Sequence, residues 1–128
     1  MGQLYPPTRV LVVDDNHDAA DLIAEFLELS GCHVIPIYDG HSAVKLAAIF
    51  RPDIIFCDIG MPRMDGYEVA ARMRSMNSLK KTRLVALTAW GDPVSRSKVI
   101  KAGFDRHLVK PATLDAILQE THSVQKAP

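Results

Sequence analysis

The sequence predicts an α/β fold in which a five-stranded parallel sheet is doubly wound by five helices. Three observations predict it. Short aliphatic runs alternate with amphipathic stretches along the whole chain, glycine and proline stand at the joints, and charge follows the first aliphatic run abruptly. Strands that alternate with helices connect through right-handed crossovers, so the sheet is parallel and both of its faces are covered.

Arg9-Val10-Leu11-Val12-Val13 is a continuous aliphatic run that stops at Asp14-Asp15, the pattern of a strand buried on both faces. From Asp18, the residues Ala19, Leu22, Ile23, Phe26 and Leu27 recur in steps of three and four, one stripe of a helix that Gly31 ends. The alternation then repeats, with a strand from His33 to Tyr38, a helix from His41 to Phe50, a strand from Asp53 to Cys57 and a helix from Gly66 to about Met76. A polar bend from Asn77 to Thr82 leads to a strand at Leu84 to Leu87 and a helix at Pro93 to Ala102. A strand at Arg106 to Val109 and a helix from about Ala112 to His122 complete the series. Pro52, Pro93, Gly103 and Pro111 punctuate it at positions that begin or end elements. Residues 1–128 therefore read as a single domain with a core from about 9 to 122.

Composition narrows the function classes. Fifteen basic and fifteen acidic side chains give zero formal charge, so the electrostatic footprint of a nucleic-acid binder is missing and no direct nucleic-acid contact is expected. No apolar run is long enough for a membrane span, and the opening lacks the regions of a signal peptide, so a cytoplasmic location is expected. Cys32 and Cys57 lie far apart and the five histidines show no paired spacing, which argues against a zinc site or a disulfide scaffold. Arg72 and Arg74 on the third helix, and Arg96, Lys98 and Lys101 on the fourth, read as solvated helix faces.

Ligands of an open parallel sheet bind beyond the carboxyl ends of its strands. The polar residues expected there are Asp14 and Asp15 after the first strand, Asp58 after the third, Thr88 after the fourth and Lys110 after the fifth. Each alone also suits a structural role, as a helix cap, a strand end or a lysine reaching for water. Together on one rim, they pose an electrostatic problem. Carboxylates about 5 Å apart repel by roughly 3 kcal/mol per pair at an effective dielectric near 20, so three of them require a cation. Oxygen donors without sulfur or imidazole favour a hard ion, Mg²⁺ in particular. With such an ion and a lysine offsetting charge, one carboxylate can act as a nucleophile toward phosphorus.

Asp14-Asp15, the stretch Asp58-Ile59-Gly60-Met61-Pro62-Arg63-Met64-Asp65-Gly66, Leu87-Thr88-Ala89 and Lys110-Pro111 resemble the conserved segments of response-regulator receiver domains, the CheY-like family. The resemblance spans about Arg9 to His122. It implies a flavodoxin-like sheet of order 2-1-3-4-5, with Asp58 as the phosphoacceptor. It further implies that Asp15, Asp58 and the backbone carbonyl of Gly60 hold Mg²⁺, with Asp14 acting through water. Lys110 would pair with the phosphoryl group and Thr88 would donate its hydroxyl as the switch. The implied donor is a phosphohistidine of a sensor histidine kinase or a histidine phosphotransfer protein. The implied readout is a downstream protein meeting the face of the fourth helix, fifth strand and fifth helix. Such a domain is no enzyme beyond slow self-dephosphorylation.

One position departs from the pattern, since His107 stands where many receivers carry a switching Tyr or Phe. An imidazole there could swing similarly or sit at the strand end in water. The stretches Leu87 to Gly91 and Ala102 to Pro111 look similar to receivers fused to hybrid sensor histidine kinases, and both such a receiver and a free-standing regulator that works by protein contact stay open. The competing readings are an aspartyl phosphohydrolase of related fold and a receiver-like binding module that is never phosphorylated. The first would want an Asp-x-Asp pair and a cap domain, and the second would lack one of the chemical residues, all of which are present.

Overall fold

A computed structural model describes residues 6–124. The elements follow one another as β1 (Arg9–Val13), α1 (His17–Leu29), β2 (His33–Ile37), α2 (Gly40–Phe50), β3 (Ile54–Asp58), α3 (Gly66–Arg74), a 3₁₀ turn at Asn77–Leu79, β4 (Arg83–Thr88), α4 (Pro93–Ala102), β5 (Arg106–Val109) and α5 (Leu114–His122). All four strand pairings are parallel and the order is β2-β1-β3-β4-β5, as the resemblance implied.

The sheet divides its side chains by parity, because successive residues of a strand point to opposite faces. Leu11, Val13, Ile55, Cys57, Leu84 and Ala86 pack with Ala43, Ala47, Val69, Met73 and Val99 from α2, α3 and α4. Val10, Val12, Ile54, Phe56, Val85 and Leu87 pack with Ala20, Ala24, Leu27 and Ile117 from α1 and α5. Burial on both faces explains why the β1 and β3 segments read as unbroken aliphatic runs. Pro36, which cannot donate to a ladder, sits in β2, where the sheet ends.

Element ends moved where side chains claimed backbone groups. Asn16, Asp39, Asp65, Asp92 and Thr113 each accept the backbone N–H three residues on, so α1 begins one residue before Asp18, α2 begins at Gly40 and α5 begins at Leu114 instead of Ala112. Asp53 stays outside β3 because its carboxylate takes the Arg9 N–H at 2.8 Å. Tyr38 leaves β2 to stack on His17, with centroids 3.8 Å apart, and donates to Asp21 at 2.6 Å. The polar bend before β4 holds the 3₁₀ turn, anchored by fully buried Leu79.

Arg74 does not belong to a solvated face, contrary to the expectation from sequence. Its guanidinium donates to the carbonyls of Gly103 (2.8 Å) and Thr82 (2.8 Å) and to Asp105 (2.6 Å), tying α3 to the starts of β4 and β5. Gly103, at φ +117°, allows this, since a Cβ there would lie 2.7 Å from Arg74 Cγ. Cys57 is buried, as a residue of β3 should be, whereas Cys32 is only partly so.

Candidate functional site

Parallel register brings the strand tips to one level. Pairing of Val13 with Cys57, and of Asp58 with Leu87, sets Asp14 beside the end of β3, and pairing of Thr88 with Val109 sets Lys110 beside the end of β4. Asp14 and Asp58 are buried and Asp15 is exposed, yet all three present carboxylate oxygens within 4.8 Å of one another. Lys110 Nζ reaches over them, 2.9 Å from Asp58 Oδ1 and 3.3 Å from Asp14 Oδ2.

The backbone fixes this geometry. The Asn16 N–H donates to Asp14 Oδ1 at 3.0 Å, which orients the carboxylate while Asn16 caps α1. After β3 the chain turns tightly, with the N–H groups of both Met61 and Gly66 donating to the Ile59 carbonyl. A Cβ on Gly66 would lie 2.6 Å from the Asp58 carbonyl oxygen, so only glycine lets α3 start against the end of β3. Sequence reasoning set Gly66 at the start of a helix and missed this close approach. Gly60 faces open space, and packing does not demand a glycine there.

Three acids and one lysine leave the rim with excess negative charge. Burial raises the Asp14 carboxyl above its ordinary value, and the Asp58 charge adds to this against the lowering by the Asn16 N–H and Lys110. Burial pulls Lys110 down, but the hydrogen bond to Asp58 and the charges of Asp14 and Asp58 outweigh it and raise the ammonium above its ordinary value. Burial, with Asp58 and Asp14 close by, pushes the Cys57 thiol far up, so it is no reactive thiolate. An all-oxygen donor set with surplus charge fits a hard divalent cation, and Mg²⁺ suits it.

Thr88 is buried at the tip of β4, and its hydroxyl is engaged with the loop that follows: it accepts the Trp90 N–H at 3.1 Å and lies 3.5 Å from the Trp90 carbonyl oxygen. His107 Nε2 stands 3.0 Å from that same carbonyl oxygen. The Trp90 backbone was invisible to sequence reasoning, because a carbonyl carries no residue signature. On its α1 side the site opens into a groove of about 560 Å³ lined by Asp14, Asn16, Leu22, Lys110, Pro111 and Ile117 among others.

A buried carboxylate that shares its pocket with a lysine and room for a cation belongs to the class of α/β domains that handle phosphoryl groups at their strand tips. The chain is a member of the response regulator receiver domain family, whose model matches residues 10–122. It is 33% identical to protein PilG of Pseudomonas aeruginosa over 118 residues, which is 92% of this chain and 87% of that protein. It is 36% identical to the response regulator MprA of Mycolicibacterium vanbaalenii over 88% of this chain and 48% of MprA, so it spans about half the length of that relative. Its fold matches Vibrio cholerae chemotaxis protein CheY4 with a TM-score of 0.88 at 28% identity, over 93% of this chain and 99% of that one. It matches the receiver domain of sensor histidine kinase PA1611 from Pseudomonas aeruginosa, with magnesium in its active-site cleft, with a TM-score of 0.84 at 27% identity, over 93% and 98%. Receivers of two-component systems accept phosphoryl groups and are not turnover enzymes, and Mg²⁺ at an acidic pocket is general among them.

Proposed function

We propose that Asp58 is the phosphoacceptor of this chain and that phosphorylation shifts its shape to control a partner protein. The observation that carries the reading is the meeting of Asp14, Asp15 and Asp58 within 4.8 Å beside Lys110, with Lys110 Nζ 2.9 Å from Asp58.

In this reading Asp15, Asp58 and the Gly60 carbonyl hold Mg²⁺, and Asp14 acts through water. Bound there, Mg²⁺ neutralises the acids and the oxygens of the incoming phosphoryl group. A carboxylate oxygen of Asp58 forms the new O–P bond while the P–N bond of a donor phosphohistidine breaks, and the electron pair leaves with the imidazole, which takes up a proton. Lys110 moves its ammonium from the carboxylate to a phosphoryl oxygen and keeps a charge-assisted hydrogen bond throughout. Thr88 turns its hydroxyl from the Trp90 backbone to another phosphoryl oxygen. The added one and a half to two negative charges favour the arrangement in which Thr88 points inward.

The donor is a sensor histidine kinase or a histidine phosphotransfer protein. The face of α4, β5 and α5 meets the downstream protein, and zero formal charge supports a protein partner over nucleic acid. Similarity to the PA1611 receiver supports a place within a hybrid kinase. Among the described residues no helix is long and apolar enough to cross a membrane, and the cytoplasm is the compartment this reading requires. Self-dephosphorylation is slow.

Intact mass after incubation with acetyl phosphate and Mg²⁺ tests the reading. One phosphoryl adduct is expected on the parent and none on Asp58→Asn. An adduct that persists in Asp58→Asn overturns the assignment, and steady turnover of a small phosphate ester would favour a phosphohydrolase instead.

A further inference from the structure

The amino end of the sheet carries a charged corner that the chemistry of the rim does not use. Helix α2 ends at Arg51, whose backbone is left-handed at φ 52°, a conformation that suits glycine and strains a residue with a Cβ. Beside it lies a cleft of about 430 Å³ lined by Arg51, Asp53, Ser78, Lys81, Thr82 and Val124 among others. The 3₁₀ turn that supplies Ser78 packs against α2, so the cleft has walls from two elements. Arg83 opens β4 at the same corner, its N–H donating to the Asp53 carbonyl at 3.0 Å while its Nε is buried without a hydrogen bond. Among the described residues Arg51, Lys80, Lys81 and Arg83 form no ion pair, whereas Arg72, Arg74 and Arg106 each have one. The acid in the lining is Asp53, and its carboxylate is turned to the Arg9 N–H at 2.8 Å. Thr82 is committed as well, donating to the Pro52 carbonyl at 2.9 Å. The corner is left with a surplus of positive charge around a concavity.

We propose that this cleft is a docking site for an acidic segment of a partner protein, whose carboxylates pair with Arg51 and Lys81. Arg51 offers a planar fork that matches a carboxylate with two parallel bonds, and Lys81 adds a point charge on the same cleft. Ser78, exposed on the turn, contributes a hydroxyl donor. A bound carboxylate also accounts for the left-handed arginine, because glycine would end α2 without strain but would bring no charge. Chemistry selects among the occupants. Zero formal charge overall, with these cations confined to one corner, does not make the long basic track that a nucleic-acid backbone follows. A cleft admits side chains, whereas a bilayer surface meets a flat or convex face. Residues 125–128, Gln-Lys-Ala-Pro, contain no acid, so they do not supply the carboxylates. The site lies at the end of the sheet opposite Asp58, so a partner held there leaves the acidic rim open. The proposal stands independently of the phosphoryl chemistry.

The test titrates the whole chain into a fluorescein-labelled oligoglutamate peptide and follows anisotropy, at low salt and again at physiological salt. The parent should bind this peptide and should not bind an oligoglutamine control; failure to bind, or equal binding of both, overturns the proposal. Arg51→Gly removes the cation and suits the left-handed backbone, so it should keep the fold. Arg51→Gly and Lys81→Gln should each bind about fivefold more weakly, and the two together at least about tenfold. Lys45→Gln, which removes an exposed cation elsewhere on α2, should stay within about twofold of the parent. Equal losses for Lys45→Gln and Arg51→Gly would mean diffuse attraction and overturn the site. A measurement on the unaltered protein covers the case of a variant that does not fold. Backbone amide shifts on adding the peptide should centre on Arg51, Ser78 and Lys81 by NMR; shifts confined to the opposite rim overturn the site. Duplex DNA or phosphatidylserine vesicles that displace the peptide, and that bind Arg51→Gly more weakly than the parent, would put another class of partner in the cleft and overturn the acidic segment. Self-association in sedimentation that is lost in Arg51→Gly would do the same, marking a second copy as the occupant.

Discussion

The two ends of the sheet both carry buried or half-buried charge, and they treat it in opposite ways. At the amino ends, Asp53, Arg9 and Arg74 meet partners from the chain itself, and the buried Nε of Arg83 is left without a hydrogen bond. Asp53 accepts the Arg9 N–H at 2.8 Å, and the Arg9 guanidinium lies 4.2 Å over the Phe50 ring and donates to the Phe50 carbonyl. Arg74 spends its donors on the Gly103, Leu79, Lys80 and Thr82 carbonyls and on Asp105, which also takes the Leu84 N–H at 2.9 Å. At the carboxyl ends, three acids gather beside one lysine, which pairs with Asp14 and Asp58. Arg74 and Asp53 are matched by the chain's own groups, whereas at the rim the acids outnumber the basic group beside them.

The largest effect that could break this contrast is loss of the cation. Chelation of divalent ions, or Asp15→Asn, should slow phosphoryl incorporation from acetyl phosphate at least about 100-fold, measured as the initial rate of adduct formation. A rate that survives chelation would mean that the rim is already balanced. Next comes the opposite end, where Arg74→Ala removes a charge-assisted bond and leaves several carbonyls unpaired. It should cost about 2–3 kcal/mol in urea unfolding, and Arg74→Lys should recover only part, because an ammonium cannot fork to Gly103, Thr82 and Asp105 together.

The third prediction carries the opposite sign. Asp14→Asn keeps an oxygen for the Asn16 N–H and removes a carboxylate whose ionisation burial disfavours, so without divalent ions it should stabilise the fold by about 1 kcal/mol. The parent's Tm should rise with Mg²⁺, and the same change should abolish that rise. A destabilised Asp14→Asn would place the two ends on the same footing. The smallest effect concerns Cys57, which should resist alkylation in the folded protein and react only after unfolding, since its thiol is buried and held protonated beside Asp58. Alkylation at native rates would show the rim to be looser than its packing.

Much of this was legible in the chain. Val10 to Val13 and Ile54 to Cys57 announce strands because both faces of a parallel sheet are dry. Asp14, Asp15, Asp58, Thr88 and Lys110 could be placed on one rim by counting to the ends of strands. Other features could not be read. Arg74 looks like any basic residue on a helix until Gly103 and Asp105 come within reach of it, 29 and 31 residues on. Gly66 looks like the start of any helix until α3 is set against the Asp58 carbonyl. The meeting of Thr88 and His107 on the Trp90 backbone has no sequence signature, because every residue has a carbonyl.

By itself, the sequence determined the alternation of elements, the parallel sheet and the residue types at the strand tips. Those follow from local periodicity, capping and the burial of apolar surface, which act over a few residues at a time. Tertiary structure alone decided which oxygens lie within 4.8 Å, which arginine ties α3 to the amino ends of β4 and β5 and which imidazole meets the Trp90 carbonyl, because such contacts join groups distant in the chain and depend on ångström-scale register that no local pattern encodes.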